Sequence, residues 1–175
     1  MSFKNDLIDD MILTLTAAMD IAIEQTQKEL TAQGHVLTGR LRDNITQEIE
    51  IIGSSIMVHM LLEDYFEPIE KGVAASNIPF GSGGGTTSDY IQGLIRSFEQ
   101  RGLTSKDAKR AAFATANKHR MEGMPTRASF RFSRNGRRTG FLTQAFKDAD
   151  DKINAVLQTI IDLFNERLLG EIDAH

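Results

Sequence analysis

The run Gly81-Ser82-Gly83-Gly84-Gly85-Thr86-Thr87-Ser88 is the segment of this chain whose composition most invites a chemical role. A glycine-rich loop ahead of a helix can cradle a phosphate with its backbone N–H groups, but a P-loop also needs a lysine beside its Ser/Thr to meet the phosphate charge. No lysine lies between Gly72 and Gln100, so the run reads as an exposed loop. The four histidines, His35, His59, His119 and His175, show no metal-ligand spacing, and cysteine is absent. That removes thiolate metal sites, disulfides and a cysteine nucleophile. His59, inside an apolar run, reads as a partly buried structural residue. The adjacent acids Asp9-Asp10 and Asp150-Asp151 sit on helical patterns, where neighbours in sequence do not face one another, so neither pair converges on a substrate. These patterns predict no catalytic residue, no cofactor and no metal, and hence a protein that is not an enzyme.

Charge is the stronger signal. Between Arg101 and Arg138 there are 11 Lys/Arg and two acids, Asp107 and Glu122, a balance of +9, whereas the remainder holds 9 basic and 22 acidic residues. The net charge of −4 conceals this asymmetry. Arg127, Arg131, Arg134, Arg137 and Arg138 interleave with Phe130 and Phe132. Such a stretch suits an acidic protein surface, including the acidic remainder of another copy, or a phosphate backbone.

The elements that must position these residues follow from periodicity. Leu7/Ile8, Met11/Ile12, Leu15, Ala18/Met19, Ala22/Ile23, Thr26 and Leu30 recur at helical spacing and predict one helix over about 5–33, ended by Gly34. At 1.5 Å per residue it is about 44 Å long. Ile45, Gln47, Ile49 and Ile51 alternate with polar residues and predict a half-buried strand. Gly53-Ser54-Ser55 supplies a turn into a second strand, Ile56 to Leu62. Glu63 to Gly72 reads as a short helix. The segment of about 73–87 reads as an exposed loop, with Phe80, Gly83, Gly84 and Thr86 as candidate partner contacts. A helical insertion covers about 88–122. Ser88-Asp89 caps its first helix, and Thr104-Ser105-Lys106-Asp107 opens a second, alanine-rich one. Ser129 to Ser133 alternates as a strand would, and Asn135-Gly136 is a hairpin-turn dipeptide. A second long helix runs from about Leu142 to Leu169. With 175 residues, 41% hydrophobic and 25% charged, the chain predicts a single domain of α+β class: a small antiparallel sheet flanked by long N- and C-terminal helices, with two shorter inserted helices. No apolar run approaches the roughly 18 residues of a membrane span, and the start lacks a secretion-signal pattern.

Three segments, in order, resemble the neck or tail-completion family of long-tailed bacteriophages. They are Leu37-Thr38-Gly39-Arg40-Leu41-Arg42-Asp43-Asn44-Ile45, Tyr65-Phe66-Glu67-Pro68-Ile69-Glu70-Lys71-Gly72, and Thr139-Gly140-Phe141-Leu142-Thr143-Gln144-Ala145-Phe146. They are similar to that family's Thr-Gly turn into the first strand, its Glu-x-Gly segment after the second, and its Phe-Leu-x-x-Ala opening of the last helix. The resemblance implies structural roles for Thr38, Gly39, Leu41, Ile45, Glu70, Gly72, Phe141, Leu142 and Ala145. It also implies a ring-forming virion protein, assembled in the host cytoplasm, that meets copies of itself, a portal-side connector and the tail tube. Arg131, Arg134, Arg137 and Arg138 would then face another subunit or passing DNA. The insertion of about 77–121 departs from the family's pattern.

Overall fold

A computed structural model of the chain describes residues 2–80 and 88–173. It is an α+β protein, mostly helical, with one two-stranded antiparallel sheet. The chain divides into two compact units: Met1–Thr31, Thr38–Phe66 and Phe141–His175 form the first, and Ala32–Leu37 with Glu67–Gly140 the second.

The first unit is built on helices α1 (Ser2–Ala32) and α6 (Phe141–Asp173). In α1 the residues at every fourth position, Ala18, Ala22, Thr26 and Leu30, are buried, as the predicted apolar stripe requires. Thr26 is tolerated there because its Oγ1 donates to the Ala22 carbonyl at 2.7 Å, the back-bonding open to a mid-helix threonine. In α6 the same spacing buries Phe141, Ala145 and Ala149. One ion pair and one longer-range charge effect, the latter smaller than that of Lys28 on the same carboxyl, give the relative direction of these helices. Asp10 pairs with Arg167 at 2.6 Å, and Lys152 acts on the carboxyl of Glu24. Ascending one helix while descending the other, they make α1 and α6 antiparallel.

Thr38-Gly39 forms a turn into a single helical turn, α2 (Arg40–Asp43), rather than leading straight into a strand. Gly39 has φ +76°, a conformation that side chains disfavour, and Thr38 Oγ1 accepts from the Arg40 N–H at 3.4 Å. The turn drives Leu41 and Ile45 into the interior, where both are buried.

Strands β1 (Thr46–Ile52) and β2 (Ser55–Leu61) then pair in register from Thr46 opposite Leu61 to Ile52 opposite Ser55. The Gln47 amide donates to Asp20 on α1 at 2.6 Å. The half-buried strand expected over β1 is not met, since Ile51 and Ile52 are 56% and 55% exposed and Ile49 is also exposed. β2, expected to be apolar on both sides, instead alternates, with Ile56, Val58 and Met60 part-buried and Met57 and Leu61 exposed. His59 is exposed as well, its ring nitrogen 3.2 Å from Glu50, so it is not the partly buried residue that its apolar neighbours suggest.

In the second unit α3 (Phe66–Lys71) ends at Gly72. Gly72 has φ +74°, and a Cβ there would lie 2.6 Å from the Met124 carbonyl oxygen. That close approach lets Val73 and Met124 exchange two backbone hydrogen bonds, both 2.8 Å. Residues 73–80 are more structured than an exposed loop: Ala75–Asn77 form a 3₁₀ turn and Ile78 is buried. Helices α4 (Asp89–Gln100) and α5 (Ser105–Glu122) are the expected inserted pair. Ser88 accepts from the Ile91 N–H at 3.4 Å. Thr104 Oγ1 accepts from the Asp107 N–H at 3.3 Å while donating to its carboxylate at 2.8 Å. Caps of this kind contribute about 1 kcal/mol each. Ala108, Ala112 and Ala116, fully buried, place only methyl groups along one face of α5, where α4 packs closely.

The strand expected over Ser129–Ser133 is instead a 3₁₀ helix, Arg127–Phe132. A lone extended segment with no partner strand would leave its backbone polar groups unpaired, whereas a tight turn satisfies them locally. Asn135-Gly136 does turn the chain, but between no strands. The Asn135 side-chain oxygen accepts from the Arg137 N–H at 3.1 Å and from Ser133 Oγ at 2.8 Å, an Asx-type turn.

Candidate functional site: a cation-rimmed groove in the second unit

The prominent concavity is a groove of about 670 Å³ formed wholly within the second unit. Its walls come from α3, the facing sides of α4 and α5, and the irregular segment after α5. Ile69, Leu94, Phe98, Met124, Pro125 and Phe132 supply apolar surface. Arg101, Lys118, Arg131 and Arg138 add four cationic side chains, and no carboxylate is among the lining residues.

Each cation has a distinct attachment. Arg138 Nη1 donates to the Gln33 carbonyl at 2.5 Å. The Arg138 carbonyl in turn accepts from His35 Nε2–H at 3.2 Å. Burial first, and then the neighbouring Arg101 charge, hold the Arg138 guanidinium below its usual range. Its Nε is buried with no hydrogen-bond partner. Arg101 lies over the Phe98 ring at 5.8 Å, and Arg131 over Phe132 at 4.7 Å. Such stacking holds a guanidinium against apolar surface without neutralising it. Lys118 alone has an acid, Glu122, at 3.0 Å. Among the described residues, Arg101, Arg131 and Arg138 have no carboxylate within ion-pair distance.

The two imidazoles on the wall carry no charge at neutral pH. Desolvation, then the Arg138 charge, lower the pKa of His35 to about 4. Burial lowers that of His119, and burial pushes Tyr90 up to about 12. The Tyr90 hydroxyl and His119 Nδ1 share a hydrogen bond. The positive potential of the groove thus comes from Arg and Lys alone.

Of the four arginines singled out from the sequence, the structure brings Arg131 and Arg138 to the groove. Arg134 and Arg137 are exposed and do not line it. Arg134 is tied by its backbone N–H to the Ala32 carbonyl at 2.7 Å. Phe80 is half-buried under the Arg120 guanidinium at 4.8 Å, a cation–π contact inside this unit. Gly83, Gly84 and Thr86 lie outside the described residues. Glu70 contributes its carbonyl oxygen to the Gly140 N–H at 2.8 Å. Phe141, Leu142 and Ala145 begin α6, with Phe141 and Ala145 fully buried and Leu142 half-buried. Sequence reasoning missed Arg101, His35, His119 and Phe98 as groove residues. Only membership of the basic stretch marked Arg101, and nothing in sequence links His35 to residues a hundred positions away.

Among the described residues, no helix is long and apolar enough to cross a membrane. Comparison of the chain with family models, with curated proteins and with solved structures yields no match in any of the three.

Proposed function

We propose that this chain is a structural subunit that assembles head-to-tail with copies of itself into a ring, and that the ring belongs to the neck of a long-tailed bacteriophage, joining the capsid connector to the tail. The observation that carries the reading is charge segregation. The first unit holds 7 basic and 18 acidic residues, −11, and the second 13 basic and 6 acidic, +7. A subunit made of two oppositely charged units favours the heterologous contact, one face against a different face of the next copy, that closes rings. The exposed apolar side chains of β1 and β2 supply surface for protein contacts, since exposed apolar clusters mark interaction sites. The ordered Thr-Gly, Glu-x-Gly and Phe-Leu-x-x-Ala segments support the phage assignment. In this role the protein joins surfaces and performs no covalent chemistry, and its place is the virion.

Light scattering across a concentration series, alone and mixed with portal-side and tail proteins, tests it. A discrete multimer is expected. A monomer under all of these conditions overturns the reading.

Exposed Arg134 and Arg137, with no ion-pair partner among the described residues, favour one second reading: contact with the backbone of passing DNA. Duplex binding that falls steeply with salt, and is lost in Arg134→Gln/Arg137→Gln while assembly persists, is its signature.

A further inference from the structure

We infer that the groove of the second unit receives the C-terminal half of α6 from a second copy of this chain. The inference rests on the self-assembly reading and names the surfaces that meet.

The groove sets the chemistry of its occupant. Apolar walls ask for apolar side chains. Three guanidiniums without acids, two of them close enough to repel, ask for carboxylates. Both must arrive on one short segment.

α6 carries such a segment. Ile161, Phe164 and Leu169 are 50%, 42% and 61% exposed, and successive 100° helical steps place them on one broad face. Asp162 and Glu166 follow at the border of that face, both exposed. Neither is in an ion pair among the described residues. Arg167, which holds Asp10 of α1, points to another side, so the packing of α6 on α1 leaves this face open. The segment also lies toward the negative end of the helix dipole, which favours cationic surroundings.

Other segments of the chain fit less well. On β1, Glu48 and Glu50 alternate with Ile49 and Ile51, so its acids and its apolar side chains point to opposite faces. On α1 the exposed Leu13 stands without a second exposed large apolar side chain among the described residues. Groove and helix are different surfaces, so a contact made once between two copies leaves one groove and one helix free to bind the next, and the contact propagates from copy to copy.

The test uses charge reversal on the full chain. Arg101→Glu/Arg131→Glu alters the groove without touching the Arg138 hydrogen bonds, and Asp162→Arg/Glu166→Arg alters the helix. All four positions are exposed, and circular dichroism checks that each variant folds. By light scattering, each variant alone should dissociate at concentrations on the order of 30-fold or more above the wild type. Mixing the two should restore assembly, because each reversed surface then meets its complement. A wild-type multimer that neither variant weakens overturns the groove assignment and leaves self-assembly standing. Two weakened variants that do not rescue each other overturn the pairing of groove with α6. A monomeric wild type overturns both this inference and the reading beneath it.

Discussion

Acidification should loosen the second unit through His35. Its Nε2–H donates to the Arg138 carbonyl, and its pKa is about 4 in the fold against 6.5 when free. As pH falls below 6.5 the unfolded chain takes up a proton that the folded chain refuses. Stability from this group is therefore fully present above pH 6.5, declines as pH falls toward 4, and changes no further below that. A shift of this size sets a ceiling of about 3 kcal/mol, since each pH unit is worth about 1.4 kcal/mol. The ring is only part-buried, and solvent screening reduces the expected loss to about 1–2 kcal/mol. For a chain of this length that corresponds to about 3–6 °C in Tm. Carboxylates titrate over part of the same range, so the assay is a difference: Tm of the wild type and of His35→Gln at pH 7, 6, 5 and 4. The glutamine amide can still donate to the Arg138 carbonyl but takes no proton. The wild type should lose about 3–6 °C relative to the variant between pH 7 and pH 4. A constant difference across that range, or an NMR titration midpoint for His35 above pH 6, would refute the reasoning.

Other perturbations probe packing and backbone. Ala112→Leu inserts three carbons into the closed face of α5 against α4 and should cost about 1–3 kcal/mol, read as a lower urea midpoint at unchanged slope. Gly72→Ala meets both the positive φ and the Met124 carbonyl 2.6 Å away. It should destabilise by more than the roughly 1 kcal/mol that a compatible Gly→Ala gains, with faster amide exchange at Val73 and Met124. Asp10→Asn removes the part-buried contact with Arg167 and should cost at most about 1 kcal/mol; the deficit in thermal melts should shrink as salt is added.

Much of the local architecture is legible in the order of the residues alone. The long helices announce themselves by apolar residues at every third and fourth position, and Ser88 and Thr104 mark the starts of α4 and α5 because a side-chain oxygen there accepts from one of the free N–H groups of the first turn. What fails is inference that depends on neighbours distant in sequence. Phe130-Arg131-Phe132 alternates like a strand, but alternation is only a necessary condition, and no partner strand lies alongside among the described residues. The apolar residues of β1 predict burial, yet no other described element covers them. The groove is invisible for the same reason: its walls combine His35 with segments near 69, 98, 115 and 131, and its charge depends on which arginines of a long basic stretch point inward. Arg131 and Arg134 are three residues apart in the same basic stretch, and nothing in that spacing says that one lines a cavity and the other does not.

The hairpin has a consequence for handling the isolated protein. In a two-stranded sheet each strand keeps one side of its ladder unpaired, and β2, Ser55-Ile56-Met57-Val58-His59-Met60-Leu61, contains no lysine, acid or proline to repel an incoming strand. Natural proteins protect such borders with charge, proline or a covering element. Here the strand supplies neither charge nor proline, so concentrated stocks of the protein should drift toward strand-on-strand stacking, with thioflavin fluorescence rising over storage. A lysine in place of Val58 should slow that drift.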